Sequence, residues 1–237
     1  MVGTNERVRQ RWELRRKALM GYFDEETFSF LRELKRHNDR AWFAANKQRY
    51  EESVKEPFLR LIEDLGPELR KVSRNLVADP RPVGGSMFRI YRDVRFSKDK
   101  SPYKTHVGAH FPLGKGMAAP GYYLHLEPDE CYFAGGMWMP EPAALQKIRE
   151  RIVERPPDWK KARGELDADE GALKRAPRGF DPEHPMVEDL KRKSFTASVP
   201  LSDAQMKRAD LPKTFVRSAE RISPLMRFLA SSVGAKW

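Results

Sequence analysis

Apolar residues recur at helical spacing through the first third of the chain. Phe28, Leu31 and Leu34 share one face of a segment that Asp24 is placed to cap. Asn38 or Asp39 ends that helix and starts another, along which Trp42, Phe43, Tyr50, Val54 and Phe58 form a stripe. Pro57 marks a break or a new first turn, and Leu61, Ile62, Leu65 and Leu69 carry the pattern to about Val72. Aromatic residues at this spacing read as a packed face rather than as a ligand box.

Beyond the loop Asp79-Pro-Arg-Pro-Val-Gly-Gly85 the period drops to two. Phe88–Arg92 alternates. Lys104–Phe111 alternates, with Val107, Ala109 and Phe111 on one face and His106, Gly108 and His110 on the other. After the flexible turn Gly114–Gly121, Tyr122–Glu127 puts Tyr123, His125 and Glu127 on one side. Pro128-Asp129-Glu130 turns the chain, and Cys131–Trp138 returns. Connections this short predict antiparallel pairing.

A helix then opens at Pro140-Glu-Pro142, with Leu145, Ile148 and Ile152 apolar; Pro156 and Pro157 stop it, and Asp158 is placed to cap the next. A loop-rich stretch over 165–185 leads to a short helix at Met186–Leu190 and a strand at Ser194–Pro200. Ser202 and Gln205 have the spacing of a capping box for a C-terminal helix, which Pro212 interrupts and Leu225, Phe228 and Leu229 continue. The fold class is α+β: an antiparallel sheet of about four to five strands packed against N-terminal and C-terminal helices.

At 237 residues the pattern fits one α+β domain over 21–237, preceded by a basic arm over 1–20. Arg7, Arg9, Arg11, Arg15, Arg16 and Lys17 make that arm either a disordered extension upstream of Met20 or a contact for anionic polymers or headgroups. The net charge of +11 favours anionic partners. The single cysteine, Cys131, excludes an intrachain disulfide framework, and its apolar setting reads as a buried inert thiol. No apolar run reaches membrane-span length and no secretory signal is evident, so a cytoplasmic protein without a membrane partner is expected.

One segment concentrates the chemistry. Arg89, Arg92, Arg95, Lys98, Lys100 and Lys104 fall within sixteen residues, with Asp93 and Asp99 and with Tyr91, Phe96 and Tyr103 among them. Guanidinium groups offer a fork to phosphate or carboxylate, and lysines supply movable point charges. On this reading the six cations bind an anionic small molecule and Asp93 orients them. If there is a reaction, Asp93 acts as a base, or Tyr103, with a lowered pKa, or His125 moves a proton. The competing reading is an ion-pair lattice in which Asp93 bridges Arg92 or Arg95, with Phe96 and Tyr103 as core anchors.

The segment also carries a resemblance. Arg89-x-x-Arg92-Asp93-x-Arg95-Phe96-Ser97-Lys98-Asp99-Lys100-x-x-Tyr103 resembles the signature of the bacterial domain of unknown function 2461 family. Asn38–Phe43, Asn46-Lys47-x-x-Tyr50, Gly121–His125, Gly135–Trp138 with Pro140-Glu141, and Leu173–Phe180 resemble it too. The likeness runs from about Phe23 to the C-terminus, leaves out the basic arm and implies no activity.

His106 and His110 lie about 13 Å apart at roughly 3.3 Å per residue, too far to chelate one metal. A metal would need His125 and Glu127 from another strand, so no metal and no cofactor is expected. His125, with Glu127 or Tyr123, reads as a general-base element or a hydrogen-bonded structural histidine. Gly135-Gly136 beside Trp138 reads as a β-bulge or as room for a ligand. No dinucleotide or P-loop glycine fingerprint and no Gly-x-Ser-x-Gly elbow is present. Three readings stand: a site for a phosphate- or carboxylate-bearing ligand on 89–104, a nucleic-acid binder using the loop and the arm, and an interaction scaffold.

Overall fold

A computed structural model describes residues 21–114 and 119–237; the basic arm and the tip of the Gly114–Gly121 turn lie outside the described residues. Asp24 caps α1 (Glu25–Arg36) in a reciprocal box with Thr27, and Asp39 caps α2 (Arg40–Ala45) through the Trp42 N–H. A short α3 (Lys47–Tyr50) and a π-helical stretch (Glu51–Lys55) run into α4 (Glu56–Val72), with Pro57 in its first turn. A proline there has no orphaned N–H to waste. Phe30, Phe43 and Tyr50 pack into one aromatic cluster, with Trp42 against its edge. The aromatic stripe is therefore core, as its spacing indicates.

Four strands follow: β1 (Val107–Pro112), β2 (Gly121–Leu126), β3 (Cys131–Met137) and β4 (Phe195–Leu201). They form one antiparallel sheet in the order β1-β2-β3-β4. Between β3 and β4 run α5 (Pro142–Glu154), α6 (Pro156–Ala162) and α7 (Val187–Leu190). Pro156 and Pro157 end α5 and also open α6, with Asp158 inside its first turn rather than at its cap. The Ser202–Gln205 capping box closes on α8 (Asp203–Met206). Pro212 then sits in the first turn of α9 (Leu211–Val233), so it starts a helix instead of interrupting one.

One face of the sheet is the core. Tyr122, Leu124, Leu126 and Phe133 are fully buried, Phe133 stacks on Phe215 of α9 at 5.3 Å, and the Tyr122 hydroxyl donates to the Ala219 carbonyl at 2.8 Å. Trp159 of α6 packs on Phe228 at 5.0 Å and donates its indole N–H to Asp189. The layout is the α+β arrangement expected. Cys131 is buried at the end of this face, its thiol pushed up to about 12 by burial.

Two local expectations change. Residues 88–92 form no strand: the segment touches its neighbours through isolated bridges, Met87 to Ala109 and Tyr91 to Tyr103. Phe88 and Tyr91 are exposed, so alternation there lacks a second layer to bury against. Gly135-Gly136 makes no bulge, because the β3–β4 register runs unbroken from Cys131–Leu201 to Met137–Phe195. Nor is there ligand space beside it. A Cβ on Gly136 would stand 2.0 Å from the Phe195 carbonyl, and one on Gly135 would stand 2.7 Å from the Tyr122 ring.

Candidate functional site

The other face of the sheet is polar. Strand alternation places Gly108 and His110 of β1, Tyr123 and His125 of β2, Tyr132 and Ala134 of β3, and Ser198 of β4 on it. One step beyond the paired residues Val107 and Leu126, His106 and Glu127 come opposite each other. Two glycines shape this floor. A Cβ on Gly108 would lie 2.5 Å from the Tyr123 hydroxyl, and one on Gly121 would lie 2.2 Å from His110 Nε2. Each ring occupies the space that a side chain at the nearby glycine would take.

At one end the polar groups converge. His125 Nε2 is 3.2 Å from Glu127 Oε2, and His106 Nδ1 is 3.8 Å from the same oxygen. The two imidazole centroids are 4.4 Å apart, and His125 stacks on Tyr132 at 4.7 Å. The Tyr123 hydroxyl lies 3.1 Å from His125 Nδ1. The other Glu127 oxygen, Oε1, accepts from Lys35 Nζ at 3.3 Å and Thr105 Oγ1 at 3.1 Å. His125 and Glu127 are buried and His106 is half-buried. Burial, then the neighbouring His125, lowers His106 to about 4. Burial likewise lowers His125, against the opposing pull of Glu127. Burial raises the Glu127 carboxyl, but hydrogen bonds from His125, Lys35 and Thr105 outweigh it and leave the group below its ordinary value.

The cationic segment divides in two. Its middle is satisfied internally: Arg92 pairs with Asp99, and Arg95 pairs with Asp93 at 2.6 Å. Lys100 donates to the Val94 carbonyl at 3.0 Å, and Asp99 also accepts from Ser101. The Arg95 guanidinium and backbone N–H hold the Asp93 carboxyl down to about 2, and the Ser101 hydroxyl and Arg92 hold Asp99 well below its usual range. Lys98 is exposed and Phe96 is 95% exposed, so Phe96 anchors nothing in the core. Tyr103 does: it stacks on Phe43 at 4.1 Å, and burial raises its phenol, opposite to the acidified group the sequence reading allows. Asn38 holds the Tyr103 backbone from both sides, accepting its N–H and donating to its carbonyl, each at 3.0 Å.

The ends of the segment differ from the middle. Lys104 lies over the Phe88 ring at 5.4 Å and donates to the Arg89 carbonyl at 2.9 Å, and no carboxylate pairs with it among the described residues. Phe88 in turn packs on Tyr123 at 6.2 Å. Arg89 is exposed beside Lys104. Burial, then Arg89, lowers the Lys104 ammonium, and its charge reaches His106. Thus the fold brings Lys104 and Arg89 to the rim of the histidine floor. Among the described residues, no hydrogen bond or ion pair links Arg92, Asp93, Arg95, Lys98, Lys100 or Tyr103 to that floor. A separate open depression of about 320 Å³ includes Glu150, Glu154 and Asp181 in its lining, the wrong charge for an anion.

A sequence profile described as conserved hypothetical protein (DUF2461) matches residues 26–228. The chain belongs to the DUF2461 family. The match contains the cationic segment, the histidine floor and the Asn38–Tyr103 clasp, and stops short of the basic arm. No curated protein and no solved structure matches the chain. No helix among the described residues of this DUF2461 member is long and apolar enough to cross a membrane. Of His106, Thr105, Lys35 and Tyr132, only His106 is weighed by sequence, as a metal ligand that would need His125 and Glu127 from another strand, and no metal is expected there. His106 and Thr105 lie just outside the strand pairing, Lys35 comes from a distant helix, and Tyr132 looks like any aromatic on a half-buried strand.

Proposed function

We propose that this DUF2461 protein binds a small phosphate- or carboxylate-bearing molecule on the polar sheet face, with Lys104 and Arg89 supplying the positive rim. The observation that carries the reading is Lys104: a partly buried ammonium beside a floor of hydrogen-bonding rings, with a carbonyl but no carboxylate for company among the described residues. Unpaired, partly desolvated cations are costly to hold without an anion to meet. Arg92 and Arg95, each already bonded to an aspartate, stiffen the adjoining loop in this reading and do not contact the ligand.

The test is calorimetric titration of metal-stripped protein with pyrophosphate and citrate. Saturable binding is expected, weakened at least about tenfold in Lys104→Met, since a hydrogen bond to a charged group contributes roughly 1.5–3 kcal/mol. Arg95→Ala should bind like wild type. Equal binding by Lys104→Met and wild type, or no saturation with any small anion, refutes the reading. Oligonucleotide binding that falls steeply with salt, with no small anion bound, would favour a nucleic-acid partner instead.

A further inference from the structure

We propose that His106, His125 and Glu127 bind one divalent transition-metal cation. The three ligand atoms all lie within 4.8 Å of one another. Around a tetrahedral cation with bonds of about 2.0–2.2 Å, ligand atoms are about 3.3–3.6 Å apart. The His125–Glu127 and His106–Glu127 separations of 3.2 and 3.8 Å already bracket that spacing. The remaining gap closes by a small inward movement of His106, the most exposed of the three.

The surroundings are those of an oriented ligand set. Glu127 splits its oxygens: Oε1 is held by Lys35 and Thr105, leaving Oε2 facing both imidazoles. His125 presents Nε2 to the cluster while Nδ1 meets the Tyr123 hydroxyl. With a cation on Nε2, the ring proton sits on Nδ1 and is donated to Tyr123, the outer-shell partner a metal-bound imidazole needs. Stacking on Tyr132 fixes the plane of the ring. Two nitrogens and one carboxylate oxygen suit zinc, iron, cobalt or nickel rather than magnesium or calcium. Three protein ligands leave coordination positions open, as in sites that take substrate or water rather than purely structural ones. His106, the most exposed of the three, is where solvent reaches the cluster. The inference does not require the anion reading: the cation site stands on its own donors.

Full-length protein made without a histidine tag, stripped with chelator and desalted, is titrated with Co2+ and then Zn2+. One Co2+ per chain is expected, visible by its d–d absorption and displaced by Zn2+. His106→Ala and Glu127→Gln lose that absorption with far-ultraviolet circular dichroism intact. If Glu127→Gln fails to fold, half-exposed His106 still decides. His110→Ala, on the same face but outside the cluster, binds as wild type. Tyr123→Phe binds about 10- to 100-fold more weakly. Failure of the folded wild-type chain to take up Co2+, or wild-type affinity in His106→Ala, overturns the proposal. Neither result bears on pyrophosphate binding by the metal-free protein.

Discussion

Gly136 has φ of +141°, a region that L side chains rarely adopt, and its Cα faces the Phe195 carbonyl across the β3–β4 ladder. Neither strain nor backbone contact can relax without parting the two strands. Gly136→Ala should therefore cost at least about 2 kcal/mol, read from the urea midpoint, because strained backbone alone costs roughly 1–3 kcal/mol. Gly108 shows a gentler version of the same principle. Its missing side chain gives the Tyr123 phenol the place from which it reaches His125. Single residues without side chains thus set the positions of the rings that make up the floor.

At the scale of elements, the helical layer is tied together by charge as well as by aromatic packing. Arg49 of α3 reaches Glu33 of α1 through two bonds of 2.7 and 2.9 Å and also pairs with Glu26. The Arg49 hydrogen bonds lower the Glu33 carboxyl from 4.5 to about 2. A carboxylate lowered on folding stabilises the native state at pH above its unfolded value, and that contribution fades as pH falls from about 4.5 towards 2. Both side chains are roughly 30% exposed, so solvent screening limits the effect to about 0.5–1 kcal/mol. Glu33→Gln should lower urea stability by that amount at pH 7, and the difference should shrink towards zero at pH 2.

For the whole molecule, the decisive link is the one between the helical layer and the cationic segment. Asn38 follows α1 in the chain and binds both backbone groups of Tyr103, sixty-five positions later. Lys35, on the last turn of α1, reaches Glu127 at the end of β2. The α1 end is thus the bracket that holds segment and floor together. Asn38→Ala leaves the Tyr103 backbone groups partly buried without partners, at a cost of about 1–3 kcal/mol. Amides over 89–104 should then exchange faster in native-state hydrogen exchange, while those of β2 and β3 keep their protection. Equal exchange in Asn38→Ala and wild type would show that the Tyr103–Phe43 stack alone fixes the segment.

Local forces were readable in the chain itself. The caps at Asp24, Asp39 and Ser202, the aromatic face of the first helices and the alternation of β1 and β2 follow from spacing, since helix and strand each repeat within a few residues. Which residues form the polar face was legible for the same reason. What spacing could not reveal was partner choice. Sequence density left two arrangements open for Arg92, Asp93, Arg95 and Asp99, a cation cluster around an anion and a lattice of ion pairs, and only the fold shows that Arg92 pairs with Asp99 and Arg95 with Asp93. His106 and His110 share a strand face and remain apart, whereas antiparallel register set His106 beside His125 and Glu127 from the neighbouring strand. The β1–β2 register is fixed by the geometry of the hairpin that joins the strands, which spacing along either strand does not reveal, and the lysine that completes the Glu127 bonds comes from a helix 92 positions away, a long closure that no local pattern encodes.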